Sequence, residues 1–415
     1  MHIGKRIKKM RELNNLERRK INAFSSSHLG NIENGHYNGS EDSLVNLSKE
    51  LNLPRNYLTR WQDFDTELND QLATLKDEIE EDLEKAKKSI AFIKENYPYI
   101  NSLYHEIFFF LLETYYLLKS GDYHQALNYY QREVEPLIEV DKLSNSMIET
   151  YYYIQGTFKF YQKSYNESLK HYYLHIPLAS NNKTKAATYY NIALCLSKIR
   201  NYEKAIYYSE KALSIHLAER SFDKAAEADN LLGSMYWRLK DLDKAKVHLK
   251  KSLALAEQYQ LKRTMASNYH NIGLVNKDEE NYAESLKYFQ DSLSLKSDSE
   301  STILTYRSII ELYLEQNQLD KVEETLFQLN ELNPSALDNN HLRILEAKLY
   351  LKQGDENGFI KNMNAGIKYY LDNDHTTHLD DILEDYANYN YSKKKYKPAA
   401  KYYKLAIETK YKLGR

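Results

Sequence analysis

The feature that most constrains this chain is a spacing of small and bulky residues that returns about every 40 positions. A small residue is followed nine positions later by an aromatic residue or leucine, and twelve positions later by a second small residue. The clearest copies begin at Gly156, Ala193, Gly233 and Gly273, and weaker copies begin at Thr114, Ile310, Ala347 and Ala387. Small residues let two helices approach closely, and helices with one apolar stripe must stack to bury it. The spacing therefore predicts an all-α fold with eight stacked helix pairs.

The second position of each copy is predicted to begin the second helix of its pair. These positions are Tyr123, Tyr165, Tyr202, Leu242, Tyr282, Leu319, Glu356 and Tyr396. The segments before them are short and polar, as connections between paired helices usually are. Glycine accounts for only 12 and proline for only 6 of the 415 residues, which disfavours a sheet-rich fold with many tight turns.

One copy of the pattern carries a recognisable motif. Leu232-Gly233-Ser-Met-Tyr236 matches the Leu-Gly-x-x-Tyr of tetratricopeptide repeats, which this array resembles over about residues 105–413. The repeats are longer than the usual 34 residues of that family, and in this they are similar to the peptide-pheromone receptors of Gram-positive bacteria. The resemblance implies a superhelix whose concave groove is lined by the first helix of each pair.

The positions around three residues before each small residue are predicted to face that groove. The candidate peptide-binding residues are Tyr153, Tyr190, Asn191, Asn230, His270, Asn271 and Arg307. Asparagine is a poor helix former, so its recurrence inside these helices indicates another role. A carboxamide can donate to a carbonyl and accept from an N–H, so a column of them is suited to the backbone of an extended peptide. The alternative is that these asparagines bridge neighbouring helices within the stack.

The first 20 residues are strongly basic, with eight basic and two acidic side chains. Residues 1–60 carry a net charge of +5, although the whole chain carries −2. A basic head on an acidic body suggests that the head meets a polyanion, and the alternative is a solvated basic helix.

The order of segments in this head resembles the phage-repressor-like helix-turn-helix family over about residues 3–60. The matching residues are Ile3-Gly4-Lys-Arg-Ile7 with Arg11, the run Ser25 through Leu29, Ile32, Glu33 and Gly35, and Leu44, Leu47, Leu51 and Leu53. Ser25 or Ser26 is expected to cap the recognition helix, and Gly35 to end it. The chain departs from the family between Ile21 and Phe24, where it is about three residues shorter and lacks the usual glycine of the turn.

By position in that motif, the recognition helix offers a set of DNA contacts. Ser26, Ser27, His28 and Asn31 are predicted to meet base edges, and Arg18 to fix the register on a phosphate. Lys5, Lys8 and Lys9 are expected to add salt-dependent affinity. A small head reads few base pairs, so a homodimer on a two-fold operator is expected. The alternative is a helical dimerisation head with no role in DNA binding.

Between head and array, acidic residues alternate with leucine and isoleucine at helical spacing. The pattern predicts one long amphipathic helix over about 66–97. The predicted domains are therefore a helix-turn-helix domain at 1–64, a linker helix region at 65–104 and a repeat domain at 105–415.

The sequence contains no recognisable catalytic motif: it lacks a phosphate-binding glycine loop, a Gly-x-Ser-x-Gly elbow and a His-Glu-x-x-His pair. Cys195 is the only cysteine, which excludes a disulfide framework and a cysteine-based zinc site. His375 and His378 have the spacing of metal ligands, although a polar turn is the favoured interpretation. No apolar stretch is long enough to span a membrane. We therefore expect a cytoplasmic protein without enzymatic activity, cofactor or metal.

Together the head and the array resemble the regulator family that includes NprR, PlcR, PrgX and the Rap proteins. The resemblance implies a quorum-sensing transcriptional regulator whose binding to an operator in double-stranded DNA is controlled by a short imported signalling peptide. The alternative is a repeat protein with a vestigial head that binds a response regulator, for example as a phosphatase.

Overall fold

The computed structural model describes residues 1–373 and 379–412, and its regular elements there are all helical. Four helices form the head: α1 (Ile3–Leu13), α2 (Ser26–Glu33), α3 (Glu41–Glu50) and α4 (Arg55–Thr59). Two helices follow, α5 (Thr66–Glu81) and α6 (Leu83–Asn96). Contacts divide the chain into two compact units, residues 1–184 and 185–415, which we describe separately.

Eight helix pairs follow among the described residues. The two pairs in the first unit are α7 (Leu103–Lys119) with α8 (Tyr123–Tyr129), and α9 (Asn145–Tyr161) with α10 (Tyr165–His175). The others are α11 (Asn182–Lys198), α12 (Tyr202–Ala218), α13 (Phe222–Arg238), α14 (Leu242–Gln258), α15 (Lys262–Asp278), α16 (Tyr282–Leu295), α17 (Ser299–Glu315), α18 (Leu319–Asn330), α19 (Ala336–Gln353), α20 (Glu356–Asp372), α21 (Leu379–Ser392) and α22 (Tyr396–Lys412). All eight second helices begin at the residue that the spacing predicts, so that prediction is confirmed.

Each pair turns in the same way. The residue two positions before every second helix has a positive φ, and it is a glycine only at Gly121 and Gly354. Elsewhere a larger residue takes this left-handed conformation, for example Arg200 and Lys240. A left-handed residue ends a helix by redirecting its last N–H groups to earlier carbonyls. The short connections therefore share one defined backbone geometry.

The small residues of the pattern lie where two helices of a pair come closest. A Cβ atom built on Gly156 would lie 2.6 Å from Cε1 of Tyr172, and one on Gly273 would lie 2.6 Å from Cε1 of Phe289. The second small residue also supplies a hydrogen bond, because Ser285 Oγ donates to the carbonyl of Gly273 at 2.8 Å. Close packing and one buried hydrogen bond thus explain the twelve-residue spacing.

The prediction of one long helix over 66–97 is wrong. Asp82 separates α5 from α6, with φ −152° and ψ 96°, and its carboxylate accepts from the backbone N–H groups of Glu84 and Lys85. An aspartate in that position caps a new helix start. The two helices pack against each other and against α7.

The head has its own apolar core, which includes Ile3, Ile7, Leu29, Leu47 and Leu58. The boundaries predicted at 64 and 104 from sequence stay predictions. None of the described helices is long and apolar enough to cross a membrane.

Candidate functional site

The helix predicted to read DNA is α2, in the first unit. The Ser25 hydroxyl accepts from the N–H of His28 at 3.2 Å and so caps the helix, and Gly35 follows its end with a φ of 85°. Ser26, Ser27 and His28 are exposed, whereas Asn31 is half-buried. Their accessibility suits contact with a large partner.

An aromatic stack holds the ring of His28. Its centroid lies 5.4 Å from that of Phe24 and 5.9 Å from that of Tyr37, with both pairs stacked. A ring held in this way loses little rotamer freedom on binding.

Arg18 lies in a single 3₁₀ turn, Arg18–Lys20, between α1 and α2. Its Nε donates to Glu33 at 2.7 Å, and Arg11 donates to the same buried carboxylate at 2.6 Å. The side chain of Arg18 nevertheless remains 38% exposed. The second helix of the motif is thus reduced to one turn by the shorter chain, and Arg18 is oriented by Glu33.

Much of the basic charge of α1 is turned towards residues 100–139. Lys9 pairs with Glu133 at 2.5 Å, and Lys5 donates to the carbonyl of Ile138 at 2.6 Å. Burial would raise the pKa of the Glu133 carboxyl, but Lys9 and Arg132 outweigh it and hold that pKa below its usual value. Lys5, Lys8 and Lys9 were all expected to add to the affinity for DNA. That expectation is now restricted to Lys8, because only Lys8 is exposed.

The residues predicted to hold a peptide are divided between the two units. Tyr153 lies on α9 in the first unit, where it is 8% exposed and packs against the rings of Tyr115 and Tyr172. The other six lie in the second unit: Tyr190 and Asn191 on α11, Asn230 on α13, His270 and Asn271 on α15, and Arg307 on α17. The structure thus places the second group on alternate helices of consecutive pairs.

Two predicted asparagines meet directly. Asn271 Nδ2 donates to Asn230 Oδ1 at 3.1 Å, which joins α15 to α13. This contact is the helix-bridging arrangement that the sequence left open. Asn230 Nδ2, however, is buried and has no acceptor among the described residues. A buried donor without an acceptor is costly, so a ligand carbonyl placed there would gain more than an ordinary hydrogen bond.

A second donor of this kind lies on α17. Arg307 Nε is buried and also lacks an acceptor in the described part of the chain. Tyr190 and Asn191 are half-buried, and burial raises the pKa of the Tyr190 hydroxyl, so Tyr190 is a neutral donor at physiological pH. The face formed by these first helices therefore carries two buried donors, Asn230 Nδ2 and Arg307 Nε, that have no acceptor among the described residues.

His270 has a different environment. It is 7% exposed, and its Nδ1 lies 3.0 Å from the hydroxyl oxygen of Thr305 on α17. Burial, with the charges of Lys296 and Arg238, lowers the pKa of His270 to about 3. His270 is therefore a neutral group that joins α15 to α17.

A cavity of about 450 Å³ lies beside this face and was not anticipated from the sequence. Its lining residues are Arg200, Tyr202, Trp237, Arg238, Lys240 and Asp381. Trp237 comes seven positions after Asn230 and so lies on the same helical face, which was the available signal. Asp381 is remote in sequence, and only the fold brings it to Arg200.

In the part of the chain that the structure describes, no three or more histidine, cysteine, aspartate or glutamate side chains are grouped to hold a metal ion. His375 and His378 lie outside the described residues.

Comparisons with known proteins concern the repeats and the fold. Models of the tetratricopeptide repeat match residues 186–218 and 224–298. The response regulator aspartate phosphatase E of Bacillus subtilis (strain 168) is 22% identical over 291 residues, which are 68% of this chain and 75% of that protein.

Solved structures resemble most of the chain. A Rap protein complexed with competence and sporulation factor superposes with a TM-score of 0.70 at 18% identity, covering 84% of this chain and 98% of the other. The apo form of the quorum sensor NprR from B. thuringiensis gives 0.67 at 16% identity, covering 84% and 99%. NprR in complex with its cognate peptide NprX gives 0.67 at 17% identity, covering 83% and 98%. The chain therefore carries tetratricopeptide repeats and has the fold of the Rap and NprR proteins, which is the fold that the resemblance in its sequence predicted.

Proposed function

We propose that the chain is a cytoplasmic transcriptional regulator that senses a short signalling peptide. The observation that carries the proposal is the unsatisfied Nδ2 donor of Asn230, held in place by the bond from Asn271. An extended peptide presents a backbone carbonyl every residue, and one of these satisfies that donor. NprR, a fold relative solved in complex with its cognate peptide NprX, supports this choice of ligand.

DNA binding is assigned to the head. The exposed residues at the start of α2, Ser26, Ser27 and His28, are the ones that reach base edges when a recognition helix enters the major groove. Asn31 and Arg18 lie at the margin of that surface, where Asn31 suits adenine and Arg18 suits a phosphate. A homodimer presents two such helices to a two-fold operator.

The peptide controls DNA binding by favouring one conformation of the repeats. Such control requires that the peptide bind one conformation more tightly than the other. The bonds that join successive first helices, such as Asn271 to Asn230, are the places where a peptide changes how the pairs pack.

The test joins both sites in one measurement. The full chain is titrated onto DNA from upstream of its own gene at two salt concentrations, with and without peptides extracted from the native host. We expect retardation that weakens at high salt and that changes when peptide is added. Asn230→Ala with Asn271→Ala should remove the peptide response and leave DNA binding intact, whereas Asn330→Ala, on an exposed position of α18, should change neither.

Absence of retardation at low salt would reject the assignment of the head. An unchanged peptide response in the double variant would reject the assignment of the asparagines.

A second candidate function follows from the similarity to aspartate phosphatase E. In this alternative the repeats bind a response regulator and the head has lost its role. Loss of phosphate from a phosphorylated response regulator of the native host on adding the chain, without retardation of DNA, would favour it.

A further inference from the structure

The cavity beside the first-helix face is built around one arginine. Arg238 ends α13 and lies over the ring of Trp237, with Cζ 4.5 Å from the ring centroid. Trp237 is itself fixed, because its Nε1 donates to Asp278 at 2.8 Å. A guanidinium that lies over an indole ring still has N–H donors to offer a planar anion.

The neighbouring charges are already matched with one another. Arg200 NH1 lies 3.0 Å from Asp380 Oδ2, and its NH2 lies 2.5 Å from Asp381 Oδ2. Lys240 pairs with Asp278 at 2.7 Å.

Arg238 is the exception among the lining cations. Within the described residues it makes no ion pair or hydrogen bond. Arg238 is an exposed residue, so its guanidinium is accessible to an anion from solvent. An anion that enters the cavity therefore meets a guanidinium whose partner it supplies.

The size and position of the cavity indicate what carries that anion. Its volume of about 450 Å³ lies in the range of sites for small organic ligands and exceeds the need of a single inorganic ion. Arg238 is eight residues beyond Asn230 on α13, which places it about 12 Å away along the helix. Three to four residues of extended chain span that distance.

We propose that this cavity binds a carboxylate of the signalling peptide, either its C-terminal group or an acidic side chain, through a bidentate contact with Arg238. The proposal rests on the peptide-sensing function proposed above. Trp237 and Tyr202 enclose the adjoining apolar part of the peptide. Asp381, whose side chain is 59% exposed, already pairs with Arg200. The ligand is therefore expected to bind without a contact to Arg200.

The test uses defined probes, so it does not depend on the native peptide. Trp237 is one of two tryptophans, and Trp61→Phe leaves it as the only indole fluorophore. The full chain with that substitution is titrated with N-acetyl-trialanine as the free acid, with its C-terminal amide, with the amide of N-acetyl-Ala-Asp-Ala, and with inorganic phosphate. Calorimetric titration of the unsubstituted chain provides the same comparison without any change at Trp61.

We expect the free acid to change Trp237 fluorescence saturably and the trialanine amide to bind at least about tenfold more weakly, since a charge-assisted contact is lost. Tight binding by the aspartate-containing amide would assign the carboxylate to a side chain, and weak binding would assign it to the C-terminus; both agree with the proposal. Arg238→Gln should abolish the preference for acid over amide. Arg220→Gln, in the turn at the opposite end of α12, should preserve it.

Equal binding of the acid and both amides, no binding of any carboxylate probe, or a preference kept in Arg238→Gln would overturn the proposal. Phosphate binding tighter than that of every carboxylate would also overturn it, in favour of a phosphate site. These results are independent of the experiment on Asn230 and Asn271. Failure of the proposed carboxylate site can therefore be distinguished from failure of the proposed peptide-sensing function.

Discussion

The guanidinium of Arg6 is buried against the carboxylate of Glu106, with NH2 2.9 Å from Oε2, and this pair fixes the head to α7. The side chains are 0% and 4% exposed. Arg6 also donates to the backbone carbonyls of Tyr57 and Asn101, each at 2.6 Å, and the Tyr57 hydroxyl donates to the other oxygen of Glu106. One of the eight basic residues counted in the first 20 positions is therefore part of the internal structure.

Removing one partner of this pair should loosen the head. Glu106→Gln leaves the Arg6 charge buried without its counter-charge, a change that typically costs about 3–5 kcal/mol. We expect much faster hydrogen exchange of the backbone amides of α1, followed by mass spectrometry of peptides covering residues 3–13.

The matched control is Lys8→Gln, which alters an exposed charge on the same helix and should leave the exchange unchanged. Exchange in Glu106→Gln as slow as in the unsubstituted chain would show that this ion pair does not hold the head.

The two neighbouring lysines of α1 should differ in their contribution to DNA binding. Lys8 is exposed and free to neutralise a phosphate, whereas Lys9 pairs with Glu133. Each phosphate contact contributes about 0.9 to the slope of log affinity against log salt concentration. Lys8→Gln should therefore reduce that slope by about one unit, and Lys9→Gln should change it little, in fluorescence anisotropy measured from low to moderate salt. Equal reductions in the two variants would contradict the assignment.

The repeats were predictable because their signal is local. Gly156 and Gly273 contact residues of the next helix in the same pair, so the close approach appears as a fixed spacing in the sequence. The break at Asp82 was missed because an aspartate in an acidic amphipathic segment fits a continuous surface helix as well as a new helix start.

Features that depend on remote pairing were beyond the sequence. Lys9 meets Glu133 and Arg200 meets Asp381 across 124 and 181 positions, and no periodicity predicts such contacts. The cavity depends on the second of these. The candidate groove could be predicted only in part. The helical face that carries Asn230 and Asn271 was predictable, whereas the hydrogen bond between them and the burial of His270 were not.

Filling the close approach in one repeat should destabilise it. In Gly273→Ala the new Cβ would lie 2.6 Å from Cε1 of the buried Phe289, so the ring or one of the two helices must shift. Overpacking of this kind typically costs about 1–3 kcal/mol. We expect a lower midpoint of thermal unfolding, followed by circular dichroism.

A second substitution separates packing from helix propensity. Phe289→Leu makes room for the new methyl group, so the double variant should be more stable than the two single effects predict. Additive effects in the double variant would mean that the cost of Gly273→Ala does not arise from contact with Phe289.

Acidification should destabilise the second unit through His270. Its folded-state pKa is lowered to about 3 from an ordinary value of 6.5, so between these values the unfolded chain binds a proton that the folded chain excludes. The stabilising contribution is fully present above pH 6.5 and is lost as the pH falls towards 3. At pH 5 the loss amounts to about 2 kcal/mol, at 1.36 kcal/mol for each pH unit below 6.5. His216, whose pKa burial lowers to about 4, adds a loss of the same sign.

His270→Gln retains a side chain that can bond to Thr305 but does not titrate, so its unfolding midpoint should fall less steeply between pH 7 and pH 5 than that of the unsubstituted chain. His36→Gln, at an exposed position in the head, should leave the steepness unchanged. Parallel pH profiles for His270→Gln and the unsubstituted chain would mean that His270 accepts its proton as readily in the folded chain as in the unfolded one.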